Sequence, residues 1–136
     1  MKQITYVQAI NEALAEEMRR DEKVFCIGED IQLGAFGATT GLVKEFGKDR
    51  VIDTPISETI VAGAAVGAAM TGYRPVADFM FADFMFVACD EIFLRAAKWR
   101  FIHGGQQTIP LVFMAAAGGY AKIGPEHSQM PVSYYL

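Results

Sequence analysis

The sequence has few of the residues that mark secreted or membrane-spanning proteins. Its 136 residues include only two cysteines, Cys26 and Cys89, and both lie in apolar runs. A thiol in such a run usually acts as a small hydrophobic side chain, so we predict no disulfide framework and a reducing, cytoplasmic setting. No stretch reaches the roughly 18 uninterrupted apolar residues that a transmembrane helix needs, and no apolar signal segment opens the sequence. Export and membrane insertion are therefore not expected.

Positive charge is also scarce. Lysine and arginine number 12 against 16 acidic residues, which gives a formal net charge of −4, and no basic cluster is longer than the pair Arg19 and Arg20. Proteins that bind nucleic acid usually carry a clustered basic surface, so we do not expect nucleic acid as a partner. Hydrophobic residues make up 52% of the chain, which is enough for one domain with its own core.

Hydrophobic periodicity predicts that helices and strands alternate along the chain. Residues 5–8 have the form of a capping box, and apolar residues then recur at three-to-four spacing to about Arg20. The predicted strands are residues 24–27, 51–53, 74–79 and 109–114, and the other predicted helices are residues 41–46, 61–70 and 83–103. This alternation predicts a three-layer α/β fold with a mostly parallel sheet and helices on both faces.

Two further features concern packing. The predicted helix over residues 61–70 is almost entirely small and apolar, with Gly63 and Gly67 four residues apart. A helix that is apolar all round must be buried, and its small residues permit close approach of another helix. The last five residues, 132–136, resemble the start of another element, so we expect the chain to be part of a larger unit.

Glu58 is the first candidate for chemistry, because it follows Pro55 at the start of this apolar helix. The ordinary interpretation is a carboxylate that the helix dipole stabilises. The alternative interpretation involves Glu29 and Asp30, which follow the first strand. If the strands are parallel neighbours, their ends lie at the same edge of the sheet, and carboxylates gathered there would act as coupled proton carriers.

His127 and an aromatic run are further candidates. A lone histidine in a loop, here the predicted loop 118–131, is ordinarily a surface residue, although a positioned imidazole could move a proton near neutral pH. Residues 79–86 are dense in aromatics, which ordinarily fill a core, although one ring could stack on a flat heterocycle. No Walker loop, GxGxxG fingerprint, GxSxG elbow or Cys/His metal spacing is present, so no site of those kinds is predicted.

Six sequence blocks, taken in register, carry a resemblance to a known family. They are Gly28-Glu29-Asp30, residues 53–58, residues 72–76, Asp83-Phe84, residues 96–100 followed by Gly104-Gly105, and His127-Ser128-Gln129. Their order and spacing resemble the β subunit of thiamine-diphosphate-dependent 2-oxo acid dehydrogenases. Within that family, residues 82–93 and 127–130 look more like acetoin dehydrogenase than like the pyruvate or branched-chain enzymes.

The resemblance implies a transketolase-like pyrimidine-binding domain, with residues 1–136 forming one partial domain and the family's C-terminal domain absent. It implies an oxidoreductase that cleaves a 2-oxo acid or acetoin and transfers the acyl group to lipoamide. The implied partners are an α subunit, a second β subunit and a lipoyl-bearing acyltransferase. Thiamine diphosphate would lie between α and β, with its diphosphate and magnesium held by a Gly-Asp-Gly motif of the α subunit. Because this sequence lacks that motif, the chain alone is expected to be inactive.

The resemblance also implies site residues. Glu58 matches the glutamate that bonds the pyrimidine nitrogen and drives the amino–imino tautomerisation by which the thiazolium carbon loses its proton. Phe84 matches the ring that stacks on the pyrimidine, with Ile56 and Met80 nearby in the pocket. Met80 stands where many relatives have glutamine, and residues 114–117 stand where relatives commonly carry an arginine and a proline.

Two more residues complete the implied site. Glu29 matches a second carboxylate, on an acidic path that links paired active sites. His127 matches the histidine that faces the substrate or the incoming lipoyl group. The implied catalytic residues are therefore Glu58 and His127, and the implied cofactor-binding residues are Glu29, Ile56, Glu58, Met80 and Phe84.

Two other hypotheses remain open at this point. In the first, the chain is an inactive module for folding or oligomerisation that packs through Gly63 and Gly67. In the second, it is an unrelated flavodoxin-like binding domain. Such a domain needs a phosphate-cradling loop after its first strand, where this sequence has the negative charges of Glu29 and Asp30. We also predict self-association, because large apolar patches seldom stay exposed on monomers.

Overall fold

The structure is a computed structural model that describes residues 3–136. Its helices are α1 (Tyr6–Arg20), α2 (Leu42–Phe46), α3 (Glu58–Met70) and α4 (Trp99–Ile102), and its strands are β1 (Val24–Gly28), β2 (Val51–Asp53), β3 (Arg74–Phe81) and β4 (Val112–Ala116). The strands form one sheet in the order β2-β1-β3-β4, and every pairing is parallel. The predicted α/β fold is confirmed.

Helix α1 begins where the sequence predicts it. The Gln8 backbone N–H donates to the Thr5 hydroxyl at 3.2 Å, and the Thr5 N–H donates to the Gln8 side-chain oxygen at 2.8 Å. This reciprocal pair is the predicted capping box, which satisfies two N–H groups that the helix itself leaves without partners. At the other end, the Arg50 guanidinium donates to the carbonyls of Met18 and Asp21. The two ends of α1 are therefore fixed by side chains.

The core has two layers, one on each face of the sheet. Neighbouring residues in a strand point to opposite faces, so Cys26 packs in one layer with α1 and Ile27 packs in the other with α3. Val76 and Ala77 divide between the layers in the same way. Helices thus cover both faces, as a parallel sheet requires. Cys26 and Cys89 are both free thiols.

The prediction of one long helix over residues 83–103 is wrong. The chain instead forms a 3₁₀ helix (Ala82–Ala88), a π-helical segment (Asp90–Ala96) and then α4. Rings of the aromatic run pack against the C-terminal segment, Phe84 on His127 and Phe86 on Tyr134, and these tertiary contacts override the local periodicity. The predicted stop at Gly104-Gly105 does occur, because both glycines adopt positive φ there.

The start of strand β4 and the exposure of helix α3 also differ from the sequence-based predictions. Strand β4 begins at Val112 and not at residue 109, because Pro110 has no N–H to give to a ladder. Helix α3 is not buried all round, since Ile60 is 68% exposed and a Cβ at Gly67 would meet nothing within 4 Å. The sheet and the 3₁₀ and π-helical segments pack against α3, whereas the side that carries Ile60 and Gly67 stays exposed. In residues 3–136, no helix is both long and apolar enough to cross a membrane.

Candidate active site at the carboxyl edge of the sheet

Strands β1 and β2 end side by side at one edge of the sheet, beside Asp78 of β3, which continues to Phe81. Gly28, the last residue of β1, pairs with Asp53 of β2 and with Asp78 of β3. A Cβ at Gly28 would overlap the backbone carbonyl oxygen of Asp78, so only glycine permits this close approach. Ligands of open α/β sheets bind beyond the carboxyl ends of the strands, so this edge is the expected location of a ligand site.

A small pocket at this edge brings three carboxylates together. Glu29, which follows β1, and Glu58, the first residue of α3, both line it, and Asp78 of β3 forms part of its wall. The buried side chains of Val61 and Phe79 supply its apolar surface. The parallel-neighbour argument made from the sequence therefore places Glu29 and Glu58 correctly.

The charges in this pocket affect each other. Burial raises the pKa of the Glu29 carboxyl, and the nearby charges of Asp30 and Glu58 raise it further. Burial also raises the pKa of Asp78, which is only 8% exposed, although a hydrogen bond from the Met80 backbone partly offsets this. Desolvation and like charge both favour the neutral acid. The pocket is thus a place where a carboxyl group can hold a proton.

Thr54 adds a neutral polar group to the same pocket. Its Oγ1 atom is buried and has no hydrogen-bond partner in the structure. A buried hydroxyl without a partner is costly, so a ligand atom or a water molecule that bonded it would be stabilised there. Glu58 itself lies in the first turn of α3, where the helix dipole also favours its charge. The position of Glu58 is thus compatible both with a carboxylate that the helix dipole stabilises and with a carboxylate that carries a proton.

Met80 lines an adjoining pocket in a strained conformation. Its φ is 63°, in the left-handed region, and its N–H donates to Asp78 Oδ1 at 2.9 Å. The register between β3 and β4 is irregular between Asp78 and Phe81, so the strand bulges here. Bulges near sites commonly redirect a side chain, and this one brings Met80 to the pocket that Glu29 and Phe36 also line.

His127 lies in an aromatic cluster beside these pockets. Its ring centroid is 4.7 Å from Phe81 and 5.1 Å from Phe84, and both ring pairs are nearly perpendicular. Phe36 packs on Phe81 with a centroid distance of 4.9 Å, which connects the cluster to the Met80 pocket. The Nδ1 atom of His127 is buried without a partner. His127 is therefore half-buried and held by rings, unlike an ordinary loop histidine.

Some of the expected site residues meet and others do not. Glu29 and Glu58 share one pocket, and Phe84 and His127 share one cluster. Ile56 is 72% exposed and lines neither pocket. The sequence reasoning missed Thr54, Asp78 and Phe36 near the site, and it named Phe81 only as part of the aromatic run over residues 79–86. Asp78 had a detectable signal, since it is a charged residue inside an otherwise apolar strand.

This edge of an all-parallel sheet, with its acidic pocket and aromatic cluster, can be compared with known families. Residues 2–136 match the family described as the pyrimidine-binding domain of transketolase. The chain belongs to this family, which confirms the fold expected from the resemblance and excludes the flavodoxin-like alternative.

Individual relatives narrow the comparison. The chain is 44% identical over 135 residues to the mitochondrial pyruvate dehydrogenase E1 component subunit beta of Bos taurus, covering 98% of this chain and 38% of that protein. It is 44% identical over 137 residues to the corresponding subunit of Rhizobium meliloti, covering 99% of this chain and 30% of that protein. It is also 44% identical over 131 residues to the 2-oxoisovalerate dehydrogenase subunit beta of Bacillus subtilis, covering 95% and 40%.

These relatives confirm the resemblance to β subunits of 2-oxo acid dehydrogenases. The chain spans less than half the length of each of the three, between 30% and 40%. Among the described residues, no group of three or more histidine, cysteine, aspartate or glutamate side chains is arranged to hold a metal ion.

Proposed function

We propose that the chain is the β-subunit part of a thiamine-diphosphate-dependent 2-oxo acid dehydrogenase, where it holds the aminopyrimidine of the cofactor. The observation that carries this proposal is the pocket shared by Glu29 and Glu58 at the carboxyl edge of the sheet. The match to a pyrimidine-binding domain family supports it. The alternative of an inactive folding or oligomerisation module is not favoured, because it would leave this acidic pocket without a role.

The residues present fit an aminopyrimidine. A carboxyl group beside apolar walls can share a proton with a ring nitrogen, and Glu58 has the apolar side chains of Val61 and Phe79 beside it. The unpartnered Thr54 hydroxyl offers a further hydrogen bond in the same pocket. The half-buried ring of Phe84 offers a surface for stacking on a flat heterocycle.

Each residue then has a defined task in the proposed reaction. Thiamine diphosphate, when bound, supplies the carbon nucleophile that attacks the substrate carbonyl. Glu58 holds and moves a proton at the pyrimidine nitrogen, while Glu29 keeps a second exchangeable proton beside it. His127 presents an imidazole to the substrate or the lipoyl group. Ile56 and Met80 contribute apolar contacts to the pyrimidine, and for the exposed Ile56 this requires a partner surface to close over it.

The proposal includes partners and a setting. An α subunit would contribute the diphosphate and magnesium site, a second β subunit would associate with this one, and a lipoyl-bearing acyltransferase would accept the acyl group. We propose that residues 1–136 act as a single pyrimidine-binding domain that is incomplete relative to the family, and that the enzyme works in the cytoplasm. For the substrate, we propose a 2-oxo acid or acetoin; acetoin is included because residues 82–93 and 127–130 resemble acetoin dehydrogenase.

Calorimetric titration with thiamine diphosphate and magnesium tests the proposal, using the chain alone and the chain mixed with an α subunit of a 2-oxo acid dehydrogenase. We expect binding only in the mixture, and we expect Glu58→Gln to lower turnover by a factor of at least about 100, as the loss of an acid–base group does. Glu22→Gln is the matched control, because Glu22 is exposed near the amino end of β1, away from the carboxyl edge. Equal turnover of Glu58→Gln and Glu22→Gln would contradict the proposal.

A further inference from the structure

One buried carboxylate beside the site has no task in the proposed function. Asp83 lies in the 3₁₀ helix that follows β3, and it is only 7% exposed. Aspartate is rarely buried to this extent unless its oxygens have partners. The hydrogen bond that Asp83 makes through Oδ1, and the lack of a partner at Oδ2, therefore need a physical explanation.

Asp83 is bonded to the loop that carries His127. Its Oδ1 accepts the backbone N–H of Gln129 at 3.3 Å, a contact between residues 46 positions apart. The carbonyl of Gln129 in turn accepts the N–H of Gly118 at 2.9 Å. Gln129 is thus fixed on both its backbone groups, and it stands two residues after His127. This arrangement anchors the end of the loop over residues 118–129.

The same short segment also holds the imidazole. Phe81 and Phe84 lie on either side of Asp83 in the sequence, and the edge-to-face contacts of both rings fix His127. Segment 81–84 therefore contacts the His127 loop at two points, the ring and the backbone. We refer to Phe81, Asp83 and Phe84 together as the histidine clamp.

No hydrogen bond at Nδ1 orients the ring of His127. This atom is buried without a partner, and so is the Oδ2 atom of Asp83. Edge-to-face ring contacts are weak and tolerate sliding, since such pairs contribute only about 0.5–1.5 kcal/mol each. The hydrogen bond from the Gln129 N–H to Asp83 Oδ1 is more directional than a ring contact, because its strength falls steeply when donor and acceptor are misaligned. The anchor at Gln129 is therefore the contact that fixes where the imidazole meets the two rings.

We infer that Asp83 is a positioning residue, which sets the place of the His127 imidazole by holding the Gln129 backbone. The importance of this for the reaction rests on the proposed function, in which His127 faces the substrate or the lipoyl group. The positioning itself is a property of the chain alone and can be measured without a cofactor or partner.

Nuclear magnetic resonance of the 136-residue chain tests this directly, because the chain has only two histidines. In the native chain we expect the ring protons of His127 to be shifted from free-histidine values by Phe81 and Phe84, and the Gln129 amide to be protected from hydrogen exchange. His103 is the internal control, since its ring stacks on Trp99 at 3.9 Å, away from the clamp. Rapid exchange of the Gln129 amide in the native chain would overturn the inference without any variant.

Two variants at residue 83 separate the hydrogen bond from packing. Asp83→Ala removes the acceptor, so we expect the His127 signals to move towards free-histidine values and the Gln129 amide to lose its protection. Asp83→Asn keeps a carbonyl oxygen of similar shape, so we expect both signatures to be retained. The His103 signals should stay unchanged in both variants. Unshifted His127 signals in a folded Asp83→Ala chain would overturn the inference.

Kinetics in a complex with an α subunit extend the test to the reaction. We expect Asp83→Ala to lower kcat for acyl transfer by about tenfold, less than the 10²–10⁴-fold typical of losing an acid–base group outright. Affinity for thiamine diphosphate should be unchanged, and Asp83→Asn should restore kcat. If the complex shows no activity at all, the proposed function fails, while the spectroscopic result still decides the role of Asp83.

Discussion

At the scale of single residues, burial controls the charge of Asp78. Its carboxyl lies under the candidate pocket, and desolvation raises its pKa above the ordinary value of 3.8. Because the folded chain then binds the proton more tightly than the unfolded chain, the stabilising contribution is complete below pH 3.8 and is lost as pH rises through the folded pKa. Burial of the Asp78 carboxyl therefore lowers the free energy of unfolding at neutral pH relative to acidic pH.

Asp78→Asn should remove that loss. The amide carries no charge, and its carbonyl oxygen can still accept the Met80 N–H. We expect the unfolding free energy of the native chain to fall as pH rises from about 4 towards 7, and we expect the variant to show a smaller fall. Urea unfolding at a series of pH values measures this. Asp49→Asn, at an exposed position, is the control, and identical slopes for Asp78→Asn and the native chain would contradict the prediction.

Some contacts within the candidate site could be predicted from the sequence, and others could not. The pairing of Glu29 with Glu58 was predictable, because both follow strands whose parallel ends must meet at one edge. Asp78 was overlooked, although a charge inside an apolar strand is a visible signal. The contact of Asp83 with Gln129 was not predictable, because it joins residues 46 positions apart through a loop without periodicity.

At the scale of elements, replacing glycine by alanine should have opposite effects on stability in strand β1 and in helix α3. A Cβ at Gly28 would overlap the Asp78 carbonyl oxygen, so Gly28→Ala should destabilise the chain by about 1–3 kcal/mol, as overpacking does. Gly67 lies on the exposed side of α3, where alanine meets nothing, so Gly67→Ala should stabilise the chain by about 0.5–1 kcal/mol. Denaturant unfolding of both variants checks the signs, and a stabilising Gly28→Ala would contradict the strand packing described above.

Elements set by local chemistry were predicted better than elements set by distant contacts. Helix α1 was predicted correctly because its capping box involves residues three positions apart and its apolar residues recur at helical spacing as far as Arg20. The segment over residues 83–103 was predicted wrongly because its aromatic rings pack on the C-terminal residues. Parallel strands were predicted from the alternation of elements alone, whereas their spatial order β2-β1-β3-β4 had no sequence signal.

At the scale of the whole molecule, the chain leaves apolar surface uncovered. The outer side of α3 exposes Ile60, and an apolar groove between α1 and the β3–β4 face is lined by Ile10, Val76, Val112 and Met114. Surfaces of this kind seldom remain bare in water, so we expect the chain to self-associate. Size-exclusion chromatography with light scattering should show a species larger than 14.9 kDa, and Ile60→Glu should reduce its share. A monomer at high protein concentration would contradict this expectation.

The central position of β1 also has a consequence for synthesis on the ribosome. Strand β1 pairs with β2 and with β3, so the first three strands can associate once Phe81 has emerged, before β4 exists. The His127 loop emerges after these three strands, so its contacts with Phe81 and Phe84 can form only later in synthesis. A stalled or shortened nascent chain would therefore display the acidic pocket without its histidine.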